Sequence, residues 1–160
     1  MAVMKLKNIY ENEILRLRVE FDDDAKLSLN KIWSWWAATP WLRKKAADIF
    51  HEDIWTFLET KRIPKITEKV DMFFMFYFST WDSWWKRQLD SSNCVAMSKI
   101  IEDSFKFDKV KNPKGILVDD TNMQCWWHSV HSIPMTLAER KALDSSYVEV
   151  SIRKHNHDIM

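Results

Sequence analysis

The stretch VDMFFMFYF, Val70 to Phe78, decides the fold. It is short, aromatic-rich and almost wholly apolar, with Asp71 its one charge. A run of this length and make-up reads as a strand buried on both faces, as inside a helix-covered sheet. Upstream, ILRLRVEF (Ile14 to Phe21) alternates strictly. Leu15, Leu17, Val19 and Phe21 fall on one face and Arg16, Arg18 and Glu20 on the other, which predicts a half-buried strand. DDDAKLSLNKI then reads as turn and loop. From Ala38 the period changes: Leu42, Ala46, Ile49, Phe50, Ile54, Phe57 and Leu58 recur at helical spacing. They predict a helix of about five turns ending near Glu59, followed by the connector TKRIPKITEK.

Downstream of the decisive stretch, Ser92 or Asn93 serves as an N-cap. Met97, Ile100, Ile101, Ser104 and Phe105 then form the inward stripe of a second helix ending near Lys106. KFDKVKNPKG is a basic loop, Met123 to Val130 a third strand and YVEVSI, from Tyr147 to Ile152, a fourth. The tail RKHNHDIM is read as frayed. The order β-α-β-α-β-β argues for one α/β (α+β) domain, with a mixed four-stranded sheet covered by helices and a core spanning about residues 14 to 152.

Composition bounds the function. A chain of 160 residues, 46% hydrophobic and 29% charged, is a single globular domain rather than a disordered segment. The net charge of +1 supplies no global basic field, so any nucleic-acid contact must rest on local patches. The opening MAVMKLKNIYENEI has no apolar signal region, and no run approaches the roughly 18 apolar residues of a membrane span. The two cysteines, Cys94 and Cys125, make no disulfide framework and suit a reducing cytoplasm. With Gly115 the only glycine, a phosphate-binding P-loop or dinucleotide fingerprint is excluded.

Acidic residues gather at two points. Asp90 lies just before the second helix, which begins near Asn93 and where backbone amides favour negative charge, and Asp119-Asp120 end the apolar run ILV. On the helix, Lys99 with Asp103 and Lys99 with Glu102 are spaced to share a face roughly opposite the apolar stripe. Converging carboxylates with water filling the remaining positions suit Mg²⁺, with Mn²⁺ as its substitute. A lysine beside them can offset charge developing on a phosphate. The same residues also admit a plain structural account: capping by Asp90 and Asn93, an exposed Lys99–Asp103 ion pair, and a DDTN turn.

At these residues the chain resembles the RusA family of Holliday-junction resolvases, small endonucleases of bacteriophages and prophages. LDSSNCVAMSKIIEDSF and GILVDDTNM follow that family's order of an aspartate segment, a lysine and an aspartate on the next helix, then an Asp-Asp pair. LSLNKI followed by RKK also resembles its early loop and basic helix start. The resemblance implies a homodimeric, Mg²⁺-dependent hydrolase of phosphodiesters near a four-way DNA junction, working in the cytoplasm of a bacterium or phage-infected host without a small-molecule cofactor. Asp90, Asp119 and Asp120 match the metal-binding aspartates and Lys99 the essential lysine. The family's second aspartate falls at Ser91 or Ser92, a departure for which Asp103, Asn93 or Glu102 would have to compensate. A non-catalytic DNA-binding or interaction module of the same fold is the alternative, and an α/β interaction protein whose acids only cap and pair is a third.

Several basic residues bracket the acids and are candidate DNA contacts: Arg43, Lys44 and Lys45, then Lys86 and Arg87, and Lys106, Lys109, Lys111 and Lys114. Cys125, His128 and His131 invite a zinc reading, to which His155 and His157 add. Offsets of three on a strand, however, send successive side chains to opposite faces, which argues against it. Eight of the ten tryptophans cluster in WSWW (Trp33 to Trp36), WDSWW (Trp81 to Trp85) and Trp126-Trp127. Base stacking, a subunit interface, and replacement of glycine at loop positions all remain open for them, with the first two favoured for Trp33 to Trp41. Trp55, within the first helix, is expected in the core.

Overall fold

The computed structural model describes residues 2–21, 40–80, 91–118 and 124–155. In chain order the elements are β1 (Ala2–Leu6), β2 (Glu13–Glu20), α1 (Pro40–Thr60), β3 (Val70–Tyr77), α2 (Ser91–Phe105), β4 (Cys125–Ser132), α3 (Leu137–Ala142) and β5 (Tyr147–Lys154). No helix among the described residues is long and apolar enough to cross a membrane. The strands form one five-stranded mixed sheet of order β1-β2-β5-β3-β4, one strand more than the four expected. The added strand is β1, an edge strand whose AVMKL lacks a clean alternation and packs only Val3 against the core. All neighbours pair antiparallel except β3 and β4, whose parallel pairing is joined by a crossover through α2, as parallel strands require.

β2 follows its alternation. Leu15, Leu17, Val19 and Phe21 are buried in the core, facing Val148, Val150 and Ile152 of β5. β3 corrects the expectation of a strand buried on both faces. Val70, Met72, Phe74 and Phe76 are fully buried, while Asp71, Phe73, Met75 and Tyr77 are only half covered. Cross-strand contacts within the sheet shield this second face. The Arg153 guanidinium lies 3.9 Å from the Phe73 ring centre, and Tyr77 stacks on Tyr147 at 4.7 Å. Aromatic residues can therefore fill both faces of a strand without a helical layer on each.

The same half-covered face carries an ion-pair ladder that the polar positions of ILRLRVEF only partly announced. Arg16 is buried, its Nη1 donating to Glu13 Oε2 at 3.0 Å and its Nη2 to Glu149 Oε2 at 3.0 Å. Arg18 Nη2 donates to the other Glu149 oxygen at 3.3 Å. Burial pushes the Glu13 carboxyl up, but hydrogen bonds from Ser151, the Ile9 amide and Arg16 outweigh it and hold the group below its ordinary range.

α1 and α2 cover the core face. α1 opens on Pro40, whose missing N–H costs nothing in the first turn, and buries Ile54, Phe57 and Leu58. Met97, Ile101, Ser104 and Phe105 are buried along α2 as their spacing predicts, with Cys94 added to the stripe. Trp55 is half-buried between the helices rather than deep in the core, its Nε1 donating to the Ser104 carbonyl at 3.1 Å.

α1 ends in a Schellman motif. Ile63 N donates to Leu58 O and Arg62 N to Glu59 O, both at 3.1 Å. The left-handed position falls on Arg62, at φ 51°, where glycine would be free of strain. Arg62 is exposed, so Arg62→Gly is expected to raise stability by about 0.5–1 kcal/mol, the relief of strain less the added unfolded-state entropy. A thermal-shift or urea midpoint that falls instead would contradict this account.

The end of α2 is closed by the loop that follows it. Asn112 Nδ2 donates to the Ser104 and Lys106 carbonyls at 3.0 and 2.6 Å, and the amides of Ile116 and Leu117 both reach Phe105 O at 2.8 Å. Residues 116–118 thereby run as a strand-like segment between Ile66 and Lys106.

Candidate functional site

Asp90, Asp119, Asp120, Lys86 and Arg87 lie outside the described residues, as do Trp33 to Trp36 and Trp81 to Trp85. Arg43, Lys44 and Lys45 fall in the first turns of α1, and their side chains are outside the described set as well. The described neighbours of the two acidic points are Ser91, which opens α2, and Val118, which follows the pairing of Leu117 with Lys106 beyond the helix's other end.

On α2 itself, Lys99 and Asp103 share an exposed face as their spacing predicts, with Lys99 Nζ 3.7 Å from Asp103 Oδ1. Lys106 lies at the same distance from the same oxygen. Of the proposed Mg²⁺ ligands only Asp103 and Glu102 have described side chains, and both recorded neighbours of Asp103 are cations. A hard divalent ion needs several oxygens, so Asp103 alone does not fit one. The other proposed ligands, Asp90, Asp119 and Asp120, lie outside the described residues. Lys114, expected at DNA, is paired with Glu59 at 2.5 Å.

Glu102 departs from the expected exposed face. It is buried, at 4% exposure, and points at β4, where its Oε2 lies 2.7 Å from His128 Nε2. Its other oxygen, Oε1, meets Lys106 Nζ at 3.3 Å. Burial favours the neutral carboxyl, but His128 and then Lys106 and Lys99 overcome that and hold it below the ordinary range. In return the contacts to Cys125 and to Glu102 raise His128 to about 10, against the effect of its own partial burial.

Cys125, His128 and Glu102 come together, with one ligating atom of each lying within 4.8 Å of the others. The expectation that Cys125 and His128 sit on opposite faces is therefore corrected, and the register shows why. Val70 pairs with Cys125, but Asp71 pairs with Trp127 and Met72 with His128. Trp126 is an extra residue, a bulge that resets the alternation by one. Cys125 and His128 hence face the same way as Val70 and Met72, toward α2. No bulge intervenes between His128 and His131, which pairs with Met75 and points to the other face as the spacing predicts.

On that other face β4 presents large exposed aromatic surface. Trp127 is 61% exposed and Trp126 38%. Lys69 Nζ sits 4.3 Å from the Trp126 ring centre, and the His155 ring stacks on it at 5.4 Å. β4 is the edge strand, so the tryptophans on one side and Lys99, Lys106 and His128 on the other flank a single sheet edge.

Compared with known proteins, the chain matches no family model, no curated protein and no solved structure.

Proposed function

We propose that this chain is a metal-dependent endonuclease acting on branched DNA as a homodimer, in the manner of the RusA resolvases that its Asp90, Lys99 and Asp119-Asp120 motifs resemble. The observation that carries the nucleic-acid reading is the exposed Trp126-Trp127 pair on edge strand β4, with Lys69 4.3 Å from the Trp126 ring centre and Lys99 and Lys106 across the same sheet edge on the α2 side. Indole faces stack on unpaired bases without regard to sequence, and flanking ammonium groups hold the backbone phosphates. Branched DNA offers both unpaired bases and crowded phosphates.

Mg²⁺ held by Asp90, Asp119 and Asp120 belongs to this reading and supplies neutralisation of charge at the scissile phosphate. Lys99 is 60% exposed in its side chain and only loosely paired with Asp103, so its ammonium can turn to a phosphate oxygen. A second reading, a binding module without catalysis, rests on the same tryptophans and needs none of the aspartates.

The test is a labelled four-way junction beside a linear duplex, with Mg²⁺ or EDTA. Paired nicks near the branch are expected, dependent on Mg²⁺ and on Asp120. Lys99→Ala is expected to slow cutting about a hundredfold. Trp127→Ala is expected to weaken junction binding by about 1–3 kcal/mol, read as a rise in Kd. Tight binding without cutting would select the binding module, and equal indifference to junction and duplex would remove both.

A further inference from the structure

We infer that Glu102, Cys125 and His128 form a binding site for a soft divalent metal ion of the zinc class, separate from the aspartates of the proposed Mg²⁺ centre. The donor set carries the argument. A thiolate, an imidazole nitrogen and a carboxylate oxygen are the three ligand types zinc takes, whereas Mg²⁺ avoids sulfur. Bonds of about 2.0–2.3 Å in a tetrahedron place ligand atoms about 3.3–3.7 Å apart. The three groups converge within 4.8 Å, with Glu102 Oε2 and His128 Nε2 at 2.7 Å, so side-chain adjustments of about 1 Å, with release of the imidazole proton as the metal takes its place, would admit an ion.

The surroundings support a built site. Glu102 is buried and fixed from behind by Lys106 on Oε1, which leaves Oε2 directed at the cluster. An outer partner of this kind orients a ligating carboxylate. Cys125 and His128 share a face only because of the Trp126 bulge, and such irregularities re-aim side chains at functional places. Three protein ligands leave a fourth position for water, and the His128 side chain is 41% exposed. Three ligands with one open place is the form of reactive rather than purely structural zinc sites.

The test is titration of the full chain, freed of metal, with Zn²⁺ against a chromophoric chelator and with Co²⁺ by absorption, in the absence of DNA. One ion per chain is expected, with a thiolate-to-cobalt charge-transfer band. Cys125→Ala should abolish the band, and Cys125→Ala and His128→Ala should each weaken Zn²⁺ binding at least tenfold. His131→Ala, three residues on but on the opposite face, should leave both unchanged. Zn²⁺ should also slow alkylation of Cys125. Circular dichroism of each variant separates lost binding from lost folding, and Glu102→Gln is read only if it folds. No uptake by the wild type, a band that survives in Cys125→Ala, or equal loss in His131→Ala would overturn the site. Because no DNA is present, failure here leaves the nuclease reading standing, and failure of the nuclease reading leaves this one.

Discussion

Arg16→Ala is expected to cost about 3–5 kcal/mol of unfolding free energy, the largest effect of any exchange considered for this chain. The reason lies in what it would leave behind. The Glu13 side chain is fully buried, and Arg16 is the cation that meets it, at 3.0 Å. The remaining donors to Glu13, the Ser151 hydroxyl and the Ile9 amide, are neutral. A carboxylate without its counter-ion in such a place must be protonated or drag water inward. Glu149 would lose one of its two arginines at the same time. Urea denaturation followed by tryptophan fluorescence measures the loss, with an unchanged slope required for a clean reading. The paired exchange Glu13→Gln with Arg16→Met should recover much of it, since removing both charges strands neither. A loss below about 1 kcal/mol for Arg16→Ala would mean the pair behaves as a solvated surface bridge.

Gly115→Ala is expected to cost about 3 kcal/mol, at the top of the range for overpacking. A Cβ at this position would stand 2.3 Å from the Lys106 carbonyl oxygen and 2.5 Å from the Phe107 nitrogen. Both are backbone atoms, so no side chain can swing aside. Relief would require the loop to lift from the end of α2, breaking the bonds from Asn112 and from the Ile116 and Leu117 amides. The one glycine of the chain sits where another stretch of backbone leaves no room for a Cβ. Urea midpoints for Gly115→Ala and for Asn112→Ala should both fall, and a wild-type midpoint for Gly115→Ala would show that the loop is not held against the helix.

The legible parts of the fold were those written as periodic burial. Leu15 to Phe21 gave one face of β2, and Met97 to Phe105 the inward stripe of α2, because each residue in those runs is buried by the same surface. β1 was not legible because an edge strand with one packed residue writes no pattern. α3 was missed although its signal is present. Thr136 accepts from the Glu139 amide while the Glu139 side chain returns to the Thr136 amide, a capping box spelled TLAE in the sequence.

The candidate site divides the same way. Lys99 and Asp103 were placed by helical spacing alone. Glu102, one position from Asp103, was assigned to the solvent because a helix pattern does not say which strand lies beneath its margin. The Cys125–His128 pairing was rejected on sound alternation, and a single bulged residue reversed it. Nothing in CWWH marks Trp126 as the extra one. A bulge is a property of two strands in register, and the partner strand stands some fifty residues away.

The place of β5 in the sheet has a consequence for how the protein comes into being. β2 and β3 are not neighbours, since β5 is inserted between them. Its Val148, Val150 and Ile152 are the middle of the core. A nascent chain leaving the ribosome therefore carries two half-sheets with open edges, and neither can complete its burial until residues near 150 emerge. Such long-range closure is slow and exposes apolar edges while it waits. Until β5 is in place, the β1-β2 and β3-β4 pairs each keep an edge that the finished sheet closes.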